Sequence, residues 1–501
     1  MKLRIFVIIF FCLSVACFRA PQNENIATSE TPIEVPTPSI NLAKPLEISN
    51  LPTDLKLCEK INQTIDQSEF SNARWGIMAI SLKDGRITCA REGQKLFNPA
   101  SIHKLLTSIV ALDKLNTDFR WKTSLYSTKQ IEGETLDSDL ILYGTGAPDF
   151  DENSLDKLVN DLKNKGLKQI KGNVIGDESY FKGDKVGEGW AWGELQWYYG
   201  AEASALTFNE NQTEIKLKDG KAIASTDYVK TSGVVKPVED IEAIGLKREI
   251  SENEVYVWGN GAQLQARISV NKPALWAVKT LKEKLEKSGI RVEGEVKFAD
   301  WKTDNKFDVI NAIELAAIES QTLSEIVRKM NKDSVNLYAE LILRTLGKKF
   351  GKTAPDENPK VQKTRGDDLA GASVIKKWLT ENNISNDEIK IHDGSGLSRL
   401  DFVTPETIGR ALVFAAQARF ADNFKNSLPV SGTDGTLHGR LKNLSGKILA
   451  KTGSITYVNS LAGFAKSSND ENFAFVIITN NETRKGDSSP LIDSIAAILA
   501  N

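Results

Sequence analysis

The apolar positions along the chain fall into two similar groups, one near each end. Arg74 to Leu82 reads as a strand, Asp84-Gly85 as a turn, and Arg86 to Ala90 as its hairpin partner. A helical stretch over about Asp54 to Ile65 precedes them. Asn98-Pro99-Ala100-Ser101-Ile102-His103-Lys104 then leads into Leu105, Leu106, Ile109, Leu112 and Leu115, a helical spacing with Asn98 as N-cap and Pro99 at the first helical position. Near the other end, Lys447 to Ile455, Ser460 to Ala465 and Asn472 to Thr479 read as strands. Pro490 opens a helix carrying Leu491, Ile492, Ile495, Ile498 and Leu499. Strands at both ends with helices outside them predict one sheet assembled from both termini.

Between about 125 and 312 the texture changes. Leu140 to Tyr143, Val174 to Gly176, Thr213 to Leu217, Val255 to Trp258 and Val292 to Phe298 read as short strands among Gly, Asp and Asn turns. Helices are fewer, at Leu155 to Lys165 and Leu275 to Lys287. This predicts inserted domains. From Ala312 to Leu346 the pattern predicts helix again.

Lys2 and Arg4 precede an apolar run from Ile5 to Ala16, the layout of an export signal. Leu13-Ser14-Val15-Ala16-Cys17 is similar to a bacterial lipobox, which makes Cys17 the candidate lipid-bearing N-terminus; ordinary cleavage nearby is the alternative, because Ser14 departs from the usual aliphatic residue. Residues 18–52 contain Pro21, Pro32, Pro36, Pro38, Pro45 and Pro52 among polar residues, a linker composition. Over the whole chain of 501 residues, 64 Lys plus Arg oppose 66 Asp plus Glu, and 41% of residues are hydrophobic. These proportions exclude a wholly disordered chain and a multi-span membrane protein. A formal charge of −2 also argues against nucleic acid as a partner, since phosphate binding needs a basic surplus. Cys58 and Cys89 are either a disulfide, permitted by an exported location, or two buried thiols.

Three short motifs stand in order: Ser101-Ile102-His103-Lys104, Ser334-Val335-Asn336 and Lys451-Thr452-Gly453. Each is weak alone; Ser-x-x-Lys recurs at Ser154, Ser179, Ser269 and Ser373. Their placement makes them informative. Ser101 and Lys104 share a face of one helix, and a serine becomes a good nucleophile when a base removes its proton. Lysine serves as that base once burial or nearby cations lower its pKa. Ser334 and Asn336 lie in a break between two helical runs, where Ser334 would relay a proton to a leaving amine and Asn336 would hold a substrate amide and Lys104. Lys451 adds a second positive charge on a strand beside which an extended peptide can add, and Gly453 leaves room for it. Backbone N–H groups of Ser101 and Ser454 are candidates for an oxyanion hole. His103, His392 and His438 are the only histidines and read as structural or exposed, and no His/Cys spacing suggests a metal.

With these motifs the chain resembles the class C low-molecular-mass penicillin-binding proteins, the penicillin-binding-protein-4-type D-alanyl-D-alanine carboxypeptidases/endopeptidases. The likeness runs from about residue 55 to 500. It extends to Leu195-Gln196-Trp197-Tyr198-Tyr199-Gly200-Ala201, Asp393-Gly394-Ser395-Gly396-Leu397-Ser398-Arg399 and Asp434-Gly435-Thr436-Leu437. It implies an α/β (α+β) fold: a penicillin-binding catalytic domain over 53–125 and 312–501, interrupted by a mostly β inserted domain over 126–207 and 273–311 and a second over 208–272. It implies an acyl-enzyme on Ser101 formed from peptidoglycan stem peptides or β-lactams, with no cofactor, in the periplasm. Membrane contact would come only through a lipid on Cys17. Arg399 is implied to bind the stem peptide, and Glu194 is the nearest candidate to meet the amino group of diaminopimelate, where Asp is commoner. Thr452, Gly453 and Ser454 would line the substrate. A β-lactamase or esterase with the same acylation machinery, and a silent cell-wall-binding protein, are the alternatives.

Overall fold

The computed structural model describes residues 40–236, 243–304, 307–352, 366–385, 388–483 and 486–501. The export signal, Cys17 and the linker up to residue 39 lie outside the described residues. No described helix is long and apolar enough to cross a membrane.

Both ends of the chain build one antiparallel sheet of five strands. Its order is Ile448–Ile455, Val458–Lys466, Asn472–Asn480, Arg74–Ser81, Ile87–Arg91. The seam between the two ends is the pair Arg74–Ser81 and Asn472–Asn480, with Ile77 opposite Ile477. These central strands are apolar at successive positions because the sheet is covered on both faces. Ile77, Ala79, Phe475 and Ile477 pack with Ile61, Ile65, Ile492, Ile495 and Leu499 of the helices Pro52–Asp66 and Ser489–Ala500. Met78, Ile80, Val476 and Ile478 face the other way, into the core shared with the helices Lys104–Leu115 and Pro405–Gln417.

Cys58 and Cys89 form a disulfide, Cα–Cα 4.8 Å, joining the outer helix to the last strand of this sheet. Cross-linking across 31 residues mainly restricts the unfolded chain. Cys89→Ser is therefore expected to cost about 2–4 kcal/mol in urea unfolding, and reduced wild-type protein should show the same loss.

The residues between carry a second five-stranded sheet, in the order Val296–Ala299, Val174–Asp177, Leu140–Tyr143, Lys122–Ser127, Ile313–Glu319. There is also a small four-stranded one and two three-stranded sheets within 212–269.

Three sequence expectations differ from this picture. The helix expected over Ala312 to Leu346 begins only at Leu323, where Thr322 and Glu325 form a capping box. Ile313–Glu319 is instead a strand paired with Lys122–Ser127, its Ala- and Glu-rich composition overridden by a long-range partner. Val292 to Phe298 is two strands, Arg291–Val292 and Val296–Ala299, in different sheets. The linker composition expected up to residue 52 belongs from residue 40 onward to the folded body. Ile87 N–H donates to Glu47 O (2.8 Å), Ser49 N–H donates to Ile87 O (2.9 Å), and Leu42 is buried.

Candidate active site

Ser101 lies on a 3-10 turn, Ala100–His103, that feeds directly into the helix Lys104–Leu115. Asn98 ties this turn down more than it caps the helix. Its carbonyl oxygen accepts from Ala100 N–H (3.1 Å), and its amide donates to Ser398 O (2.9 Å) and Asp401 O (3.2 Å). Ala100 has φ +50°, a left-handed conformation unusual for an alanine. Gly396 (φ +79°) makes room for it, since a Cβ there would sit 2.0 Å from Ala100 O.

The Lys104 ammonium is completely buried. Its Nζ lies 3.0 Å from Ser101 Oγ, 2.6 Å from Asn336 Oδ1 and 2.8 Å from Ser395 O. Burial pulls its pKa down to about 7, against the opposing pull of Asp393 and Glu340. Asn336 Oδ1 and Ser395 O can only accept. A neutral Lys104 therefore gives its two N–H bonds to them and turns its lone pair to the Ser101 hydroxyl. That is the arrangement a general base needs.

Ser334 sits between the helices Leu323–Lys332 and Asn336–Phe350 at φ +58°. Its Oγ accepts from Lys451 Nζ (2.8 Å), which also donates to Thr452 O (2.7 Å). Lys451 is fully buried; burial, then the proximity of Lys104, hold its pKa well below the usual lysine value. Lys451 lies on the outermost strand of the five-stranded sheet. Pro429 O and Ser431 N–H already pair with Ala450 and Ile448 of that edge. Alternation along the ladder leaves the backbone groups of Thr452 and Ser454 as the next to point outward. A Cβ on Gly453 would lie 2.8 Å from Ser101 N and 3.0 Å from Ile102 N, so glycine lets the strand close on the nucleophile turn. Thr452 Oγ1 donates to Thr436 Oγ1 (2.8 Å). The three motifs thus meet in one place.

Arg399 and Glu194 come together rather than standing apart. Arg399 Nη2 is 3.7 Å from Glu194 Oε1, and its Nη1 donates to Thr456 O (2.8 Å), just past the end of the edge strand. Glu194 also accepts from Ala191 N–H (3.1 Å). Asn336 uses its amide on Tyr199 O (2.9 Å), in the aromatic segment nearby.

A layer of buried charge behind the lysine escaped the sequence reading. Glu340 Oε1 accepts from Gly394 N–H and Ser395 N–H (3.0 Å each), and its Oε2 pairs with Arg344 (3.0 Å). Asp393 accepts from Ser395 N–H, Gly396 N–H, Ser398 N–H, Ser395 Oγ and Trp190 Nε1. Together these carboxylates hold the loop that offers Ser395 O to Lys104. The available signal is Glu340 and Arg344 at (i, i+4) within the apolar run from Leu337 to Leu346. His103 proves fully buried, and burial lowers it to about 4, so it is neutral. Ligand atoms of His103, Asp393 and Asp401 lie within 4.8 Å of one another. Asp393 has already committed its oxygens to five donors, which fits a proton better than a metal ion. Burial first, then neighbouring Asp393, raise Asp401 well above the usual carboxylate value, making it the acid of that pair.

A family model described as the D-Ala-D-Ala carboxypeptidase 3 (S13) family matches residues 57–501. The chain belongs to that S13 family. S13 members are serine peptidases, so the chain is a D-Ala-D-Ala carboxypeptidase by family. It is 27% identical to the D-alanyl-D-alanine carboxypeptidase of Actinomadura sp. (strain R39), covering 89% of this chain and 84% of that one. It is 26% identical to the D-alanyl-D-alanine carboxypeptidase DacB of Haemophilus influenzae, over 81% of this chain and 85% of the relative. The crystal structure of penicillin-binding protein 4 from Haemophilus influenzae superposes with a TM-score of 0.74 at 24% identity, covering 88% of this chain and 98% of that one, and shows the shared fold.

Proposed function

We propose that this S13 enzyme removes terminal D-alanine from peptidoglycan stem peptides and opens D-alanyl cross-links through an acyl-enzyme on Ser101. The observation that carries the reading is the set of three contacts around Lys104 Nζ, with a lone pair left for Ser101. Lys104 takes the Ser101 proton as Oγ bonds to the carbonyl carbon of the penultimate D-alanine. The oxyanion forms against the N–H groups of Ser101 and Ser454. The C–N bond then breaks and the leaving amine receives a proton through Ser334, which Lys451 holds in place. Water releases the shortened peptide. Thr452, Gly453 and Ser454 pair with the extended substrate. Arg399, on the rim with Glu194, binds its peptide or carboxylate groups. A β-lactam enters by the same acylation step and leaves slowly.

The test is digestion of purified muropeptides, monomeric and cross-linked, with products identified by mass. Pentapeptide should lose one D-alanine and dimers should fall to monomers. Intact muropeptides after long incubation, with rapid turnover of penicillin, would make the chain a β-lactamase instead. In the same assay Arg399→Ala should raise KM about tenfold, roughly 1.4 kcal/mol of binding, with kcat nearly unchanged. The enzyme is read as periplasmic and anchored by a lipid on Cys17. The mass of the mature N-terminal peptide decides that point, since an unlipidated terminus rejects it.

A further inference from the structure

The strands Lys230–Gly233, Glu254–Asn260 and Ala243–Arg248 form a sheet whose outer face bears no described covering. Along the central strand, Val255 and Val257 are fully buried while Tyr256 and Trp258 point out, 52% and 45% exposed. Single exposed aromatic residues are common, but two adjacent ones form a contiguous patch of the kind that marks a binding surface. Their rings lie 5.6 Å apart between centroids and only 21° from parallel. Both recline on glycines of the flanking strands. A Cβ on Gly245, the cross-strand partner of Trp258, would lie 2.1–2.6 Å from indole atoms, and one on Gly233 would lie 3.0 Å from the Tyr256 ring. The indole is therefore laid against Gly245 and stacked beside Tyr256, while about half of each side chain stays exposed, giving an aromatic floor.

The floor lies in a groove of about 670 Å³, walled by Ser232, Lys247, Glu249, Glu252 and Glu254. The groove is open to solvent, so it would lie along one side of an extended chain rather than enclose a small ligand. Three carboxylates against one ammonium repel phosphate-rich polymers and anionic membrane surfaces. They suit a neutral ligand rich in hydroxyl donors, and the apolar C–H faces of sugar rings match open aromatic faces. The groove also connects mechanically to the active-site rim. Arg248, at the end of one of its strands, donates to Leu195 O (2.7 Å), next to the Glu194 that meets Arg399.

We propose that this face binds an uncharged N-acetylated sugar chain, the glycan strand from which the stem peptide hangs. The choice of glycan rests on the peptidoglycan substrate proposed above. A platform of this kind would hold the polymer while Ser101 works on its peptides.

The test titrates the full chain with chitotetraose, a peptide-free N-acetylglucosamine oligomer, by calorimetry and tryptophan fluorescence. Saturable binding should weaken at least tenfold in Trp258→Ala and in Tyr256→Ala. Gly245→Val, which lifts the indole off the sheet, should act in the same direction. Penicillin acylation at the wild-type rate in all three variants should show that the Ser101 site is intact, and an unchanged far-UV circular dichroism spectrum and thermal unfolding profile that these strands stay folded. No binding, or equal affinity in wild type and Trp258→Ala, overturns the proposal. So does binding of oligolysine in place of the sugar, or a dimer in sedimentation that Trp258→Ala dissolves. Chitotetraose binding with intact muropeptides in the digestion assay would leave the platform standing and remove the peptidase reading, so the two failures are distinguishable.

Discussion

Ser101→Ala will take no covalent label from fluorescent penicillin, and Lys104→Met will label about 10²–10⁴-fold more slowly than wild type, the usual worth of a positioned general base. Methionine fills much of the buried lysine stem's space without its charge or lone pair, so the loss reports proton transfer more than packing. The pH profile carries the same information independently. Lys104 acts only when neutral, and burial places its pKa at about 7. Acylation by the wild type should therefore fall as pH drops below about 7 and level off above it. The direction follows because the protonated amine has no lone pair to offer Ser101. Stopped-flow acylation across the pH range, with Ser101→Ala as the blank, measures both effects. If Lys104→Met keeps the acidic limb and most of the rate, the base is another group, with Lys451 the first candidate through Ser334.

How much of this was legible in the sequence depended on whether a signal was local. The hairpin of Arg74–Ser81 and Ile87–Arg91 and the three strands near the C-terminus announced themselves by apolar runs broken by turns. The three motifs were readable because each needs few residues and sits at a boundary between elements. Ile313–Glu319 was misread because its identity as a strand is decided by Lys122–Ser127, almost two hundred residues away. Residues 40–51 look like linker because what ties them down is backbone hydrogen bonding to Ile87 and Arg410 with one buried side chain, Leu42, which leave little mark in composition. The encounter of Arg399 with Glu194 was likewise invisible, since nothing in their spacing brings the tryptophan-rich segment against the Gly-Leu-Ser-Arg stretch. Least legible of all was the support behind Lys104. Glu340, Asp393 and Asp401 are acidic residues that a sequence reader would place in solvent, yet all three are completely buried.

Glu340 shows what that support is worth. Its carboxylate satisfies two loop N–H groups and one nitrogen of the buried Arg344 guanidinium. Glu340→Ala leaves Arg344 with Asp184 O at 2.9 Å and Asp368 at 3.9 Å, and leaves Gly394 N–H without this acceptor. Burial first, then neighbouring Asp393, raise Glu340 to about 7; breaking a buried ion pair from one side typically costs about 3–5 kcal/mol, so a loss of that size is expected from urea unfolding at pH 8, where Glu340 is ionised. Glu340→Gln keeps an oxygen for the loop and should lose less. Adding Arg344→Met to Glu340→Ala should recover much of the stability, because it removes the stranded charge. Activity should not recover with it. Ser395 O is held toward Lys104 by the Glu340 bonds to the loop, and Glu340 also helps to raise the lysine's pKa. In the refolded double variant the acidic limb should move to lower pH while the plateau rate stays depressed. A double variant that regains both stability and full acylation would show that Glu340 serves only Arg344; one that regains stability alone assigns it to the loop that orients the base.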